Sequence, residues 1–210
     1  MTPARLLSAG LTLTAAAGMV DVVGFIELGG FYTSFMSGNT TQLGAALTGM
    51  EGMAIALPLG LIVMFFIGSF LGALVAGSPR GGGKAVAALV LFGLAVTLAL
   101  HAIGVPPTQS MLVLATSAGA QNAILTQHGA ARLGATFITG TLFAAGQDLA
   151  RAVRGQVPPF RWVQHLMVWL ALLVGALIGA AAYAPWQLWA LVVPGVIYLS
   201  ALVLLPSATK

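Results

Sequence analysis

Residues 52–79 read GMAIALPLGLIVMFFIGSFLGALVAGSP, and this run of 28 positions contains no charged side chain. A helix needs roughly 20 apolar residues to cross a hydrocarbon core about 30 Å thick, so the run predicts a transmembrane helix. The rest of the chain has the same character, since 59% of its 210 residues are hydrophobic and 6% are charged. A soluble domain carries about 25% charged residues. We therefore expect an integral membrane protein.

Other uncharged runs predict five more crossings. Residues 85–131 and 162–209 are each long enough for two spans, and turn-forming Gly and Pro residues interrupt them at 104–107 and 183–185. The first span covers about residues 6–27. The predicted fold class is thus an all-α integral membrane protein with six transmembrane helices.

Two further segments are predicted to be re-entrant half-helices. Residues 133–147 give only 15 uncharged positions, which is short of a crossing by about a third. Residues 28–50 are longer, but they are too rich in Gly, Ser, Thr, Asn and Gln to face lipid. Irregular backbone at membrane depth is tolerated only where protein buries it or where it lines a cavity. We therefore expect both segments to lie inside the helix bundle.

The basic residues predict the orientation. With six crossings and a cytoplasmic N-terminus, all eight Lys and Arg residues fall on the cytoplasmic side, in agreement with the positive-inside rule. If both short segments crossed fully, giving eight spans, Arg80, Lys84 and Arg132 would lie outside. We therefore prefer six crossings and expect both termini in the cytoplasm.

The composition also argues against several classes of site. The chain has no cysteine, which excludes a disulfide framework, a thiolate metal site and a Cys nucleophile. Its histidines, His101, His128 and His165, are too scattered to suggest a metal cluster, so we predict neither a metal nor a cofactor. The basic residues are spread between apolar blocks rather than clustered on one face, so no nucleic-acid partner is expected.

An internal repeat divides the chain. Three landmarks recur in the same order: AGMVD at 17–21 with AGAQN at 118–122, FMSGN at 35–39 with FITGT at 137–141, and GSFLGA at 68–73 with GALIGA at 175–180. An odd number of crossings separates equivalent points, so the halves must be inverted. We predict one membrane domain, 1–210, with repeat one at about 6–104 and repeat two at about 107–206. A chance match within a glycine-rich membrane sequence is the alternative.

The two GxxxG motifs of the third landmark have two interpretations. Gly68 with Gly72, and Gly175 with Gly179, place small residues on one helix face. Such motifs are typical of close helix packing in membranes. We expect packing within the bundle, with a dimer face as the alternative.

The same residues carry a resemblance to a known family. AGMVDVVGF at 17–25, SGNTT at 37–41, QNA at 121–123 and TGTL at 139–142 resemble segments of the YoaK family of bacterial multi-pass proteins, catalogued as domain of unknown function 1275. Family members typically have Thr-Gly-Asn where this chain has Ser37-Gly38-Asn39, and Gly-Met-Gln-Asn where it has 119–122. The likeness covers nearly the whole chain. It implies an integral protein of the bacterial inner membrane, and it supplies no substrate.

Polar residues placed in the membrane interior form the candidate site. Asp21 lies about 15 residues into the first span, where an ionised carboxylate costs roughly 2.5–3.5 kcal/mol, so a functional role is the default interpretation. A structural carboxyl that ties helices together is the alternative. Its repeat mate is the neutral amide Asn122, beside Gln121.

The half-helices supply the rest of the predicted site. Ser, Thr and Asn are good N-cap residues, and two half-helix N-termini would point their free N–H groups at a common central point. Glycine-rich packing turns are the alternative. The predicted substrate-binding residues are Asp21, Ser37, Gly38, Asn39, Thr40, Gln121, Asn122, Thr139, Gly140 and Thr141.

These features favour a carrier that moves a small polar or anionic solute by alternating access, with Asp21 as a proton or cation coupling group. A passive channel and a non-transporting scaffold are the alternatives, because both are also compact apolar bundles. An intramembrane serine protease is disfavoured, since its Ser needs a His general base and no His has an evident match. The expected partners are the solute and the lipid bilayer, and a homodimer is a reasonable assembly for a small transporter.

Overall fold

The computed structural model describes residues 3–49, 52–78, 82–125 and 138–205. Within these residues the chain forms helices and no β-strand, which confirms the all-α prediction. A 3₁₀ turn at Gln187–Leu191 joins the last two helices. The α-helices of the described part are α1 (Pro3–Glu27), α2 (Met36–Gly49), α3 (Gly52–Gly77), α4 (Gly83–Ala102), α5 (Pro107–Gln121), α6 (Ile138–Val153), α7 (Arg161–Trp186) and α8 (Val192–Leu204).

Several of these helices can cross a membrane. Within the described residues, four segments are long and apolar enough: Arg5–Glu27, Ala54–Gly77, Gly83–Ala102 and Arg161–Leu204, the last of which contains both α7 and α8. By themselves α5, with 15 residues, and α8, with 13, are shorter than the roughly 20 residues of a full crossing. The chain is a multi-pass α-helical membrane protein, and the number of six crossings stays a prediction.

A tight crossing holds α3 against α5. Gly68 faces the backbone of Thr116, and Gly72 faces the backbone of Ala120 one turn further along. A Cβ atom added at Gly68 would lie 1.9 Å from the carbonyl oxygen of Thr116. Only glycine therefore allows the two helix backbones to come this close.

The crossing of α1 with α7 is built in the same way. A Cβ atom at Gly175 would lie 2.0 Å from the carbonyl oxygen of Ala15, and Gly179 lies against the backbone of Met19. Both glycine motifs are thus used in helix crossings within the chain. This confirms the expectation of packing within the bundle, and a dimer face would have to use other residues.

A small apolar core joins these two crossings. α4 packs on α5 and on α8, and α8 also packs on α1. The side chains of Val86 and Val90 from α4, Met111 and Leu114 from α5, and Tyr198 from α8 are almost fully buried there. This core fixes the end of α5, which supplies part of the candidate site.

The two short helices occur where half-helices were predicted. α2 has 14 residues and α6 has 16, which makes them about 21 and 24 Å long at 1.5 Å per residue. α2 packs mainly on α3, and α6 packs mainly on α7. α6 continues through Asp148 to Val153, so that Arg151 lies in its last turn, where a basic residue was expected. Residues 133–137 of the predicted segment lie outside the described residues.

Candidate functional site

The segment 28–35, which we call the strap, turns the chain back from the end of α1 to the start of α2. Gly29 and Gly30 have φ angles of 63° and 113°, a region that glycine enters without steric cost. The reversal carries Thr33 and Ser34 back to the level of Asp21, about 9 Å from the end of α1 at 1.5 Å per residue. α2 therefore begins near the level of Asp21 rather than at the end of α1.

Asp21 fastens the middle of the strap. Its Oδ1 atom accepts hydrogen bonds from the backbone N–H of Thr33 at 3.1 Å, from the N–H of Ser34 at 2.8 Å and from the Thr33 hydroxyl at 3.2 Å. In the described part of the chain Asp21 takes part in no ion pair. These three donors, together with a hydrogen bond from the Ser34 side chain, satisfy its carboxyl group instead.

Two amides fasten the strap on the side of α2. The fully buried Asn39 donates from Nδ2 to the Tyr32 carbonyl at 2.7 Å and accepts the Tyr32 N–H at 3.0 Å. Gln42 donates from Nε2 to the Gly30 carbonyl at 2.8 Å. Asn39 was predicted to bind substrate, and in this structure its amide pairs with backbone of the strap.

Aromatic rings complete the strap. The ring centroid of Tyr32 lies 5.0 Å from that of Phe25 and 5.1 Å from that of Phe35. Gly38 packs under these rings, because a Cβ atom there would lie 2.6 Å from the Phe35 ring. Its repeat mate Gly140 has no heavy atom within 4 Å of such a Cβ atom. The two glycines thus have different surroundings, tight at the first and open at the second.

A cavity of about 450 Å³ brings parts of the predicted site together. It lies at the N-termini of α2 and α6, beside the end of α5 and the middle of α3. Four predicted residues line it, namely Ser37, Asn122, Thr139 and Gly140. Residues from both halves of the chain therefore meet around one space, as the sequence predicted.

The chemistry of this cavity is neutral and amphipathic. Ser34 and Ser69 add hydroxyl groups to its polar wall, and neither residue was predicted to take part. The remaining lining is apolar and comes from Phe35, Met36, Phe65 and Ile138. No charged side chain belongs to the lining among the described residues.

The other predicted residues lie around the cavity rather than in its lining. The hydroxyls of Thr40 and Thr141 donate to the carbonyls of Met36 and Ile138 in their own helices. Gln121 is buried and accepts a hydrogen bond from the Tyr198 hydroxyl of α8. The structure thus separates Gln121 from the cavity wall and leaves its neighbour Asn122 in it.

A second, smaller cavity of about 250 Å³ lies on the other side of the strap. Asp21, Phe25 and Tyr32 line it together with residues of α7. The strap therefore stands between two spaces, since Tyr32 faces the smaller cavity while Ser34 and Phe35 face the larger one.

A charged cluster of one acid and three basic side chains lies between α6 and α7, and it was not predicted from the sequence. Asp148 is only 3% exposed, and its Oδ2 atom lies 2.9 Å from Nε of Arg161 and 3.4 Å from Nε2 of His165. Its Oδ1 atom lies 3.7 Å from Arg151. The chain has only four acids, and this scarcity was the signal that could have marked Asp148 as a buried, paired residue.

Comparison with known proteins gives a family match over most of the chain. Residues 9–204 match a family model described as "Protein of unknown function (DUF1275)". No solved structure matches the chain with significance.

Two curated relatives are similar to the chain, and both are named as transmembrane proteins. "UPF0700 transmembrane protein RA0705" of Rhizobium meliloti is 33% identical over 180 residues, which cover 84% of this chain and 77% of the relative. "UPF0700 transmembrane protein YoaK" of Bacillus subtilis is 30% identical over 146 residues, which cover 66% of this chain and 64% of the relative.

Proposed function

This chain belongs to the DUF1275 family, and we propose that it is a carrier of a small polar or anionic solute in the bacterial inner membrane. The observation that carries the proposal is the cavity of about 450 Å³ at the N-termini of α2 and α6. A packed scaffold has no use for a cavity lined by hydroxyl and amide groups. A solute site in a membrane protein requires such a space.

The helix crossings support two inverted repeats around this site. Gly68 of α3 contacts Thr116 of α5, and Gly175 of α7 contacts Ala15 of α1. The two glycines are 107 positions apart and their two partners are 101 positions apart, and these are the offsets that align the two halves of the sequence. Gly119 of α5 lies on Phe65 of α3. Its mate Gly18 lies on the corresponding residue of α7, Leu172. A chance similarity between the two halves of the sequence would not be expected to produce the same helix contacts in both.

The proposed topology follows from this symmetry. Six crossings with cytoplasmic termini place α2 and α6 as half-helices that enter from opposite sides and start near the membrane centre. Inverted-repeat transporters hold solutes in this way, with alternating access around a midplane site.

The helix dipoles of the half-helices favour anionic solutes. A helix N-terminus carries roughly half a positive charge, and the cavity lining offers no cation that would compete for the solute among the described residues. The hydroxyls of Ser37 and Thr139 can orient the bound group, while Phe35 and Phe65 give it apolar contacts. We therefore propose small carboxylates or similar anions as the first class to test.

The same lining argues against an enzyme. A hydrolase needs a nucleophile with a general base within hydrogen-bond reach. The described lining holds serine and threonine hydroxyls but no histidine, carboxylate or lysine. We propose that the protein is not an enzyme.

Transport assays in proteoliposomes separate the carrier from its alternatives. Purified protein is reconstituted, and uptake of labelled small anions and neutral polar compounds is measured with and without unlabelled solute inside. We expect at least one small anion to show accelerated exchange against internal solute, which a passive channel does not show. A scaffold gives no uptake above empty liposomes, and that result for the whole panel would contradict the proposal.

A further inference from the structure

Asp21 lies on the opposite side of the strap from the larger cavity, and yet it determines where one wall of that cavity stands. Its Oδ1 atom binds the N–H of Ser34 at 2.8 Å, while Ser34 and the adjoining Phe35 line the cavity. The carboxyl group itself faces the smaller cavity with Tyr32 and Phe25. A change in the hydrogen bonding of Asp21 therefore affects the solute cavity through Ser34, which both bonds to Asp21 and lines that cavity.

From this arrangement we propose that Asp21 is a positioning residue whose own protonation moves the strap and so opens or closes the wall of the solute cavity. The ionised carboxylate holds Ser34 and Phe35 in the closed position seen here. When the carboxyl takes up a proton from the adjoining aqueous phase, the strap is released and the two cavities join. The inference rests on the proposed carrier function and supplies its coupling step.

The hydrogen-bond geometry explains why charge matters at this position. All three donors converge on one carboxylate oxygen, and hydrogen bonds to an ionised acceptor are roughly twice as strong as those between neutral groups. A protonated carboxyl would keep weaker bonds to the same donors. The closed strap is therefore favoured at the higher pH and is lost as the pH falls through the titration of Asp21.

Few other titratable groups lie close enough to Asp21 to cause a pH response of the strap. Of the residues that line the cavity beside Asp21, only Tyr32 is also titratable, and α7 contributes Leu172 and Ala176 there. Glu27, the other acid of α1, accepts a hydrogen bond from the Tyr183 hydroxyl at the far end of the helix. A pH response of the strap is thus assigned to Asp21.

The strap has the local flexibility that this step needs. Gly29 and Gly30 form its first turn, and no heavy atom lies closer than 4 Å to a Cβ atom at either position. The other two fastenings, from Asn39 and Gln42, do not titrate. Release at Asp21 would therefore swing residues 33–35 while the strap stays attached at its other points.

Cysteine accessibility tests the proposal directly, because the chain has no native cysteine. Ser34→Cys places a thiol on a residue that is 7% exposed. It keeps the backbone N–H that binds Asp21 and replaces the Ser34 hydroxyl, which also bonds to Asp21, with a weaker donor. The full-length protein in lipid nanodiscs is labelled with a small thiol reagent from neutral to acidic pH, without solute. Rates are divided by those of Ser78→Cys, an exposed position, which removes the intrinsic pH dependence of thiol reactivity.

We expect the normalised labelling of Ser34→Cys to rise about tenfold as the pH falls. Adding Asp21→Asn should make labelling fast at every pH. Adding Gln42→Ala, the matched control, should speed labelling at neutral pH but keep its pH dependence, since this change loosens the strap without removing the titrating group. Asp21→Glu should restore the pH dependence.

A pH-independent rate in Ser34→Cys alone would overturn the proposal, as would a pH response that survives Asp21→Asn. If Asp21→Asn does not fold, the pH dependence of the labelling rate is compared between Ser34→Cys alone and Ser34→Cys with Asp21→Glu, and this comparison still tests the proposal. Because no solute is present, the result does not depend on transport. Intact strap opening with no uptake of any solute would reject the carrier proposal and leave the strap mechanism standing.

Discussion

Gly68 and Gly175 are the residues at which the fold tolerates the least change. A methyl group at either position would meet a carbonyl oxygen at 1.9 or 2.0 Å, and backbone cannot move aside as the end of a side chain can. The two helices would have to separate along the whole crossing. Gly44 of α2 provides the opposite case, because a Cβ atom there has no neighbour within 4 Å.

We therefore predict that Gly68→Ala lowers the free energy of unfolding by about 1–3 kcal/mol, the usual cost of overpacking. Gly44→Ala should be neutral or stabilising by roughly 0.5–1 kcal/mol, because alanine is the better helix former. Thermal or denaturant unfolding in detergent measures both variants. Equal stability of the two variants would show that the α3–α5 crossing is looser than described.

The polar residues of the site could be selected from the sequence, but their individual roles could not. Asp21 and Asn39 were conspicuous as polar groups in an apolar chain, and both lie at the site. Which of them would bind backbone depends on the reversal of the strap at Gly29 and Gly30. The spacing of residues in the sequence does not show that reversal. Residues that fasten the strap were therefore predicted to bind substrate together with Ser37, which does line the cavity.

At the scale of helices, α6 depends on one charged cluster for its attachment to α7. It buries Thr141, Ala145 and Asp148, while Phe143 and Val153 are 68% and 82% exposed. Its polar side therefore faces protein and its apolar side faces outward, as suits a helix next to lipid. Asp148 is the charged contact on the inner side.

Removing this charge should loosen α6. We predict that Asp148→Asn destabilises the protein by about 1–3 kcal/mol, less than for a fully buried ion pair because the Arg161 partner is half exposed. Hydrogen exchange should increase within 138–153 and less so in α3. Arg154→Gln is the control, since Arg154 makes no ion pair in the described residues. Unchanged exchange in α6 would contradict this anchoring role.

The helices themselves were largely predictable, for physical reasons that differ between elements. Uncharged length predicted α3 and α4 as spans, because the hydrocarbon thickness sets a minimum that composition reveals. The basic residues Arg151 and Arg154 indicated the C-terminal end of α6, and Arg151 lies in its last turn. The shortness of α5 could not be seen, since Gln121 and Asn122 follow an apolar run without a break.

At the scale of the whole molecule, the orientation can be tested with single cysteines in the cysteine-free chain. Thiols at Ser78 and Gly155 should react only with reagent on the cytoplasmic side, because the adjoining loops carry basic residues. Thiols at Gly104 and Ala184 should react only from outside. Labelling is measured in intact cells and in inverted vesicles. Cytoplasmic reaction at both Ser78 and Gly104 would exclude six crossings.

We propose that a solute binds where the half-helices α2 and α6 begin. Measuring solute binding to two valine variants is the most direct test of this site. Gly140 and Gly146 both lie on α6 with no heavy atom within 4 Å of an added Cβ atom, so valine should fit at either. Only Gly140 lines the cavity. Gly38→Val is less suitable, because the Phe35 ring already occupies that space.

The measurement is the affinity of purified, folded protein for a panel of small anions, cations and neutral solutes, detected by ligand-dependent thermal stabilisation. We predict that a small anion binds the unmodified protein and Gly146→Val alike, and that Gly140→Val weakens this binding by about tenfold or more, a loss of at least about 1.4 kcal/mol. Equal binding to both valine variants, or a preference of the unmodified protein for cations, would contradict it.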